Sequence, residues 1–158
     1  MKIYKNFIDK THCNKMNKVM LGVDFPWFYV KYQVSTDSSF MFHCFYANNK
    51  INSSYYYLVD PIIKKLNIKK IINIRANLCL KRPMKNDWHI DFDKKQKLTP
   101  KSKVAIYYVN LNNGHTVFKN KKVKSEKNKI LIFKGDVEHK AQYQTDTDTR
   151  VVINFNYE

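Results

Sequence analysis

From residue 70 onward the chain is a series of short apolar runs cut by turn residues, and this series constrains the fold more than any other feature. "KIINIRANLCL", "WHIDF", "KVAIYYVNL", "HTVFKN", "KILIFKG" and "TRVVINFNY" are rich in β-branched and aromatic residues, the side chains that pack well on a pleated surface. Between them lie "KRPMKND", "LTPKS", "NNG", "SEKN" and "QTDTDT", where Pro, Gly, Asn, Asp and Ser supply turn chemistry. Several short strands at regular spacing predict an all-β sandwich or barrel.

The first 70 residues read differently. Positions 6–20 carry Phe7, Ile8, Cys13, Met16, Val19 and Met20 at helical spacing. "FPWFYVKYQV" (25–34) and "SFMFHCFYA" (39–47) predict two aromatic strands. "NSSYYYLVDPIIKKLNI" (52–68) begins with serine caps and predicts a helix interrupted before Pro61. The chain is therefore expected to be mainly β with flanking helices, in one domain of 158 residues. Residues 1–69 would support a core formed by 70–158.

Charge enters where partners are considered. The formal net charge is +16, which suits a polyanion. All but Arg75, Arg82 and Arg150 of the 29 basic residues are lysine, however, and arginine is the residue suited to bidentate reading of bases and phosphates. Lys, Asn, Ile, Tyr and Phe are also the amino acids of A/T-rich codons, so base composition is an alternative source of much of the charge, beside a functional basic surface. No apolar run approaches a membrane span, and "MKIYKNFIDKTHCNK" lacks the apolar centre of a signal peptide. Cys13, Cys44 and Cys79 follow no disulfide spacing and read as thiols of a reducing compartment. A cytoplasmic protein is expected, with no membrane partner and nothing requiring more than a monomer.

The chemistry is concentrated in "NDWHIDFDKK". Residues i and i+2 of a strand point the same way, so His89 and Asp91 project together, while Trp88, Ile90 and Phe92 would pack the barrel. Two histidines and one carboxylate on one face of a metal ion are diagnostic of non-haem Fe(II) oxygenases. A buried histidine bonded to a neighbouring acid is the simpler account of the pair alone. Asp87 and Asp93 share the face of His89 and compete with Asp91. The second histidine is to be sought among His12, His43, His115 and His139. His139 follows the strand "KILIF" and a "KGD" turn, and Arg150 opens the strand "RVVINFNY". A guanidinium at the root of a strand needs an anion, either Asp146 or Asp148, or a carboxylate ligand.

In this order, HxD, then His139, then Arg150, the sequence resembles the 2-oxoglutarate and Fe(II)-dependent oxygenases, in particular their prolyl-4-hydroxylase-like branch. The resemblance continues through "KVAIYYVNLNNGHTVF", similar to the family's strand, turn and "G-x-T-x-F" stretch, and through "LIFKGDVEH" and "TRVVINFNY". "FPWFY" and "FHCFY" look like the N-terminal half of small phage-encoded members, whose location would be the host cytoplasm. The resemblance implies a double-stranded β-helix, or jelly-roll, of cupin-like form. It implies that His89, Asp91 and His139 bind Fe(II), that Arg150 pairs with the distal carboxylate of 2-oxoglutarate, and that the Tyr108 hydroxyl meets the same carboxylate. Ile106 would line the pocket and Tyr107 would face away. Asn77 would reach the cosubstrate from the opposite sheet, and Asn154 would hold water or substrate. The implied reaction consumes O2, decarboxylates 2-oxoglutarate to succinate and hydroxylates a C–H bond.

The substrate is expected to be a peptidyl, prolyl-type side chain first and a nucleic-acid base second, with a small metabolite third. Trp27, Phe28 and Tyr29 are candidates for an aromatic rim that stacks bases, or for core. His115 reads as surface or substrate-facing, and His43 as a satisfied core histidine. The rival from another class is a non-catalytic basic protein that binds nucleic acid on the same fold.

Overall fold

A computed structural model describes residues 1–30, 40–81, 87–92 and 98–158. The elements run β1 (Lys2–Tyr4), α1 (Lys10–Met20), β2 (Phe28–Val30), β3 (Phe40–Ala47) and β4 (Lys50–Ile51), then a 3-10 turn (Ser54–Leu58) and α2 (Asp60–Leu66). There follow β5 (Ile71–Leu80), β6 (Lys103–Tyr108), β7 (His115–Phe118), β8 (Lys121–Lys124), β9 (Lys129–Lys134), β10 (Lys140–Gln142) and β11 (Thr149–Tyr157). The large sheet has the order β1-β9-β6-β11-β5-β3-β2, with β4 paired to β3; the small one has the order β10-β7-β8. All pairings are antiparallel. The fold is the expected jelly-roll. No helix among the described residues is long and apolar enough to cross a membrane.

Alternation along the central strands sorts side chains into two cores. Val151, Ile153, Phe155 and Tyr157 of β11, with Ala105 and Tyr107 of β6, face a cluster shared with Met16 and Met20 of α1 and Ile62 of α2. Val152 of β11 and Val104, Ile106 and Tyr108 of β6 face the other way, against Phe118 and Val123 of the small sheet. Tyr107 and Tyr108 therefore point to opposite sides, as period-two geometry requires, and the space between the sheets belongs to the even-numbered residues of β11.

The first helix starts later than its apolar spacing suggested. Asp9 caps it, accepting from the His12 backbone N–H at 2.8 Å. Phe7 and Ile8 are buried but precede the cap; Ile8 is held by Asn128, which bonds both its N–H and its carbonyl. The segment 52–68 divides before Pro61 as expected: Ser53 caps the 3-10 turn through the Tyr55 N–H, and the proline lies in the first turn of α2, where its missing N–H costs nothing. Of the strand expected over 25–34, residues 28–30 form β2 and 31–34 lie outside the described residues.

Strands β8 and β10 carry little sequence signal. In β8, "KKVK", only Val123 is buried, and its lysines suit an open edge. "WHIDF" is not a strand. It is an irregular segment that bends at Asp91 and Phe92 and, among the described residues, makes one bridge, His89 to His139. Within it Phe92 is buried, but Trp88 is 40% exposed and Ile90 41% exposed. The expected apolar packing face is thus reduced to Phe92. Trp88 instead lies under the Lys140 ammonium, 4.8 Å from its ring centroid. The three cysteines form no disulfide.

Candidate metal centre

The bridge that ends the strand pattern builds the site. His89 N donates to the His139 carbonyl at 3.0 Å and His139 N to the His89 carbonyl at 2.9 Å, so the two histidines face each other across an antiparallel pair. Their ring centroids are 4.7 Å apart. Asp91 lies between them: its Oδ1 is 3.5 Å from His89 Nε2 and 3.6 Å from His139 Nε2. The three candidate ligand atoms all lie within 4.8 Å of one another. Of the expected second histidines, only His139 reaches this place.

Outer contacts fix the tautomers. His89 Nδ1 faces the Asp87 carbonyl at 3.1 Å and His139 Nδ1 faces the Val137 carbonyl at 3.2 Å. Carbonyls only accept, so each Nδ1 carries hydrogen and each neutral ring turns its Nε2 lone pair towards Asp91. Two lone pairs and an anionic oxygen then converge, an arrangement that calls for a cation or a proton between them. Burial works against the charged form of His89, but hydrogen bonding and charge from Asp91 outweigh it and raise its pKa. Burial would raise the Asp91 pKa, and the two histidines together hold it well below the usual carboxylate range. The donor set, the orientation of both rings and the carbonyls behind them fit a divalent transition metal.

A cavity of about 480 Å³ opens from this cluster between the sheets. On β5 the inward residues Arg75, Asn77 and Cys79 line it; on β11, Arg150, Val152 and Asn154. Adjacent strands place Arg150 opposite Cys79, Val152 opposite Asn77 and Asn154 opposite Arg75. The Arg150 end and the metal cluster are thus opposite ends of one lined space.

Arg150 is 2% exposed. Its Nε donates to Ser125 Oγ at 3.0 Å and its Nη2 to Thr116 Oγ1 at 3.4 Å. Among the described residues no carboxylate forms an ion pair with it. Asp146, one expected partner, accepts from the Asn113 backbone N–H instead; Asp148, the other, forms no ion pair with Arg150 among the described residues, and its backbone carbonyl accepts from the Lys81 N–H and Gln144 Nε2. A buried guanidinium without a counter-ion is an anion site by its chemistry.

Tyr108 stands beside Arg150, the guanidinium carbon 5.9 Å from its ring centroid, but does not line the cavity. Its hydroxyl donates to Thr116 Oγ1 at 2.8 Å, and burial pushes its pKa up against the influence of Arg150 and Thr116, so it remains a phenol donor. Thr116, which does line the cavity, was missed by sequence reasoning although it is the Thr of the "G-x-T-x-F" stretch. Asn77 and Asn154 both line the cavity, each with a buried Oδ1 lacking a partner. Asn154, expected to hold water or substrate, donates from Nδ2 to Asp91 Oδ2 at 2.9 Å. Arg75, also missed, lines the same end; burial lowers its pKa and the Asp91 charge opposes the shift.

The remaining candidates lie elsewhere. Asp87 borders the cavity, and Asp93 lies outside the described residues. His43 is a core histidine, bonded to the Pro26 carbonyl and Ser53 Oγ and surrounded by Phe25, Phe45 and Tyr55. His12 ties α1 to the Leu58 carbonyl. His115 is half-buried on β7, its pKa lowered by burial and by Lys122, Arg150 and Lys124. Trp27 packs against the helix-side core, its Nε1 donating to the Met20 carbonyl, while Phe28 and Tyr29 are exposed.

No protein-family model matches the chain, and no curated protein sequence matches it. Solved structures do. A prolyl hydroxylase from Trichoplax adhaerens, in complex with a hypoxia inducible factor oxygen degradation domain peptide fragment, superposes with a TM-score of 0.70 at 13% identity, over 99% of this chain and 82% of that one. A prolyl-4-hydroxylase from Pseudomonas putida gives 0.62 at 8% identity, over 99% and 91%. An oxidoreductase of the 2OG-Fe(II) oxygenase family from Burkholderia pseudomallei gives 0.65 at 7% identity, over 97% and 82%. At these identities the likeness is one of fold.

Proposed function

We propose that the protein is a non-haem Fe(II)- and 2-oxoglutarate-dependent dioxygenase that hydroxylates a C–H bond. The observation that carries this reading is the convergence of two Nε2 lone pairs and Asp91 Oδ1 at one end of a cavity whose other end is a buried guanidinium with no carboxylate partner among the described residues. The architectures of the three oxygenases above support it.

His89, Asp91 and His139 would hold the metal, which supplies O2 activation and the oxidative decarboxylation of 2-oxoglutarate to succinate. The chain's own groups do the positioning. Arg150 binds the distal carboxylate of the cosubstrate as a charge-assisted pair. Thr116 Oγ1 already accepts from Tyr108 and Arg150, so its remaining hydrogen is free to donate to that carboxylate; Tyr108 acts through Thr116. Asn77 contacts the cosubstrate from β5. Ile106 and Val152 are buried apolar walls and exclude water from between the two ends.

A peptidyl, prolyl-type side chain is the first substrate reading, supported by the peptide bound to the Trichoplax protein. Nucleic acid is the second, and it has its own observation. A groove outside the small sheet is lined by Trp88, Lys119, Lys121, Lys122 and Lys140 and meets the cavity at Asp87 and Ala141, which border both. An aromatic face among lysines suits a single strand.

Anaerobic titration with Fe(II) and 2-oxoglutarate tests the proposal. A visible charge-transfer band, lost in His89→Ala and weakened in Arg150→Ala, is the expected result. Absence of a band in the wild type, with salt-sensitive polyanion binding unchanged by either variant, would support the non-catalytic rival instead.

A further inference from the structure

Among the described residues the segment that carries Asp91 has little backbone pairing: residues 87–92 make one bridge, at His89. Asp91 is nevertheless held from behind by a single strand. Asn154 Nδ2 donates to Asp91 Oδ2 at 2.9 Å, and Asn156 Nδ2 donates to the Asp91 backbone carbonyl at 3.1 Å. The two asparagines are i and i+2 on β11 and so share the face that looks into the jelly-roll. β11 is paired on both sides, by β5 and β6, and is a rigid mount.

The orientation of both amides follows from chemistry. A carboxylate and a carbonyl accept only, so each asparagine must turn its nitrogen towards Asp91. In doing so each leaves its Oδ1 buried without a partner. Two idle buried acceptors are unfavourable, and the donations to Asp91 are what offsets them. The result for Asp91 is that Oδ2 is occupied by an N–H donor, while Oδ1 alone stands among the histidine nitrogens.

We infer that Asn154 and Asn156 are positioning residues for the metal ligand Asp91: Asn154 restricts it to ligation through Oδ1, and Asn156 fixes the backbone that carries it. A carboxylate free to turn would present both oxygens to the ion and fill a coordination position that cosubstrate or O2 needs. The inference rests on the metal-site reading above, and it deepens that reading by assigning the outer contacts that set how the carboxylate binds.

Co(II), which binds such sites without turnover, provides the test. Its affinity is measured by titration, and its visible absorption reports coordination number. Asn154→Leu removes the donor and the idle acceptor at similar volume but leaves buried Asp91 Oδ2 without this partner, so its melting temperature should fall by a few degrees with folding retained. Its Co(II) affinity should fall roughly tenfold or more, and its absorption at saturating Co(II) should change in intensity. Asn156→Leu should weaken Co(II) affinity with less change in the spectrum. A folded Asn154→Leu protein with wild-type affinity and spectrum would overturn the inference while leaving the metal site intact. A wild type that binds no Co(II), or binds it equally well as His89→Ala, would overturn both.

Discussion

A β-carbon at position 114 would lie 2.8 Å from Cδ of Arg150, 2.9 Å from Asn112 Oδ1 and 3.0 Å from the Gln142 carbonyl. Gly114 is therefore a steric requirement of the anion end of the cavity: the β6–β7 turn can lie against the Arg150 stem only without a side chain. Gly114→Ala should push the guanidinium out of register with Thr116 and Ser125. We expect 2-oxoglutarate affinity to fall roughly tenfold, the scale of a modest overpacking cost, while Co(II) affinity stays unchanged. Calorimetric titration of each ligand checks this.

The shared hydroxyl of Thr116 predicts a non-additive pair. Thr116→Val removes the atom that Tyr108 and Arg150 both address and should raise the KM for 2-oxoglutarate about tenfold to a hundredfold, the scale of one hydrogen bond to a charged group. Tyr108→Phe should cost less. In the Thr116→Val background it should cost almost nothing further, because Tyr108 acts through Thr116. Steady-state kinetics of the four proteins form the cycle; two independent, additive effects would show that Tyr108 reaches the cosubstrate directly.

His43 predicts an acid-side loss of stability. Burial lowers its pKa from 6.5 in spite of the Pro26 carbonyl, so the folded ring is neutral, donating from Nδ1 to Pro26 and accepting at Nε2 from Ser53. Above pH 6.5 both folded and unfolded rings are neutral and the contribution is complete. As pH falls from there through the lowered folded value, the unfolded chain takes up the proton first, and stability is lost. Urea unfolding of the wild type and His43→Gln at several pH values checks the sign. The variant should be less stable throughout, with a shallower decline below pH 6.5.

The groove beside Trp88 separates the two substrate readings. If single-stranded nucleic acid docks there, Lys122→Glu combined with Lys140→Glu should weaken binding of a labelled oligothymidylate. The slope of log affinity against log salt should also become shallower, by roughly one for each phosphate that is no longer neutralised. Trp88→Ala should weaken binding at all salt concentrations. Fluorescence anisotropy across a salt series measures both effects. Equal binding by wild type and variants would leave the peptide reading alone, with the β8 lysines accounted for as protection of an open sheet edge.

Much of the architecture is written locally. β6, β9 and β11 are visible as apolar runs because each strand is buried on both faces, β5 because one face is core and the other half-buried, and Pro61 divides its segment wherever that segment packs. β8 and β10 are not visible: "KKVK" and "KAQ" are strands only because β7 lies between them, and pairing of that kind leaves almost no mark on composition. The same distinction explains "WHIDF". Its alternation suggests a strand with an apolar face, yet among the described residues it makes one bridge, and Trp88 and Ile90 remain exposed.

By itself the sequence determined the fold class, through the period of its apolar runs, and its motif order, read as a family resemblance, singled out His89, Asp91, His139 and Arg150 as candidates. Only the tertiary structure decided which atoms meet. It turned both Nε2 atoms onto one oxygen of Asp91, gave the other oxygen to Asn154, and left Arg150 without an acidic partner among the described residues. It also placed Thr116 between Tyr108 and the cavity. These relationships join residues distant in sequence across two sheets, and they depend on strand register and packing, which no local pattern encodes.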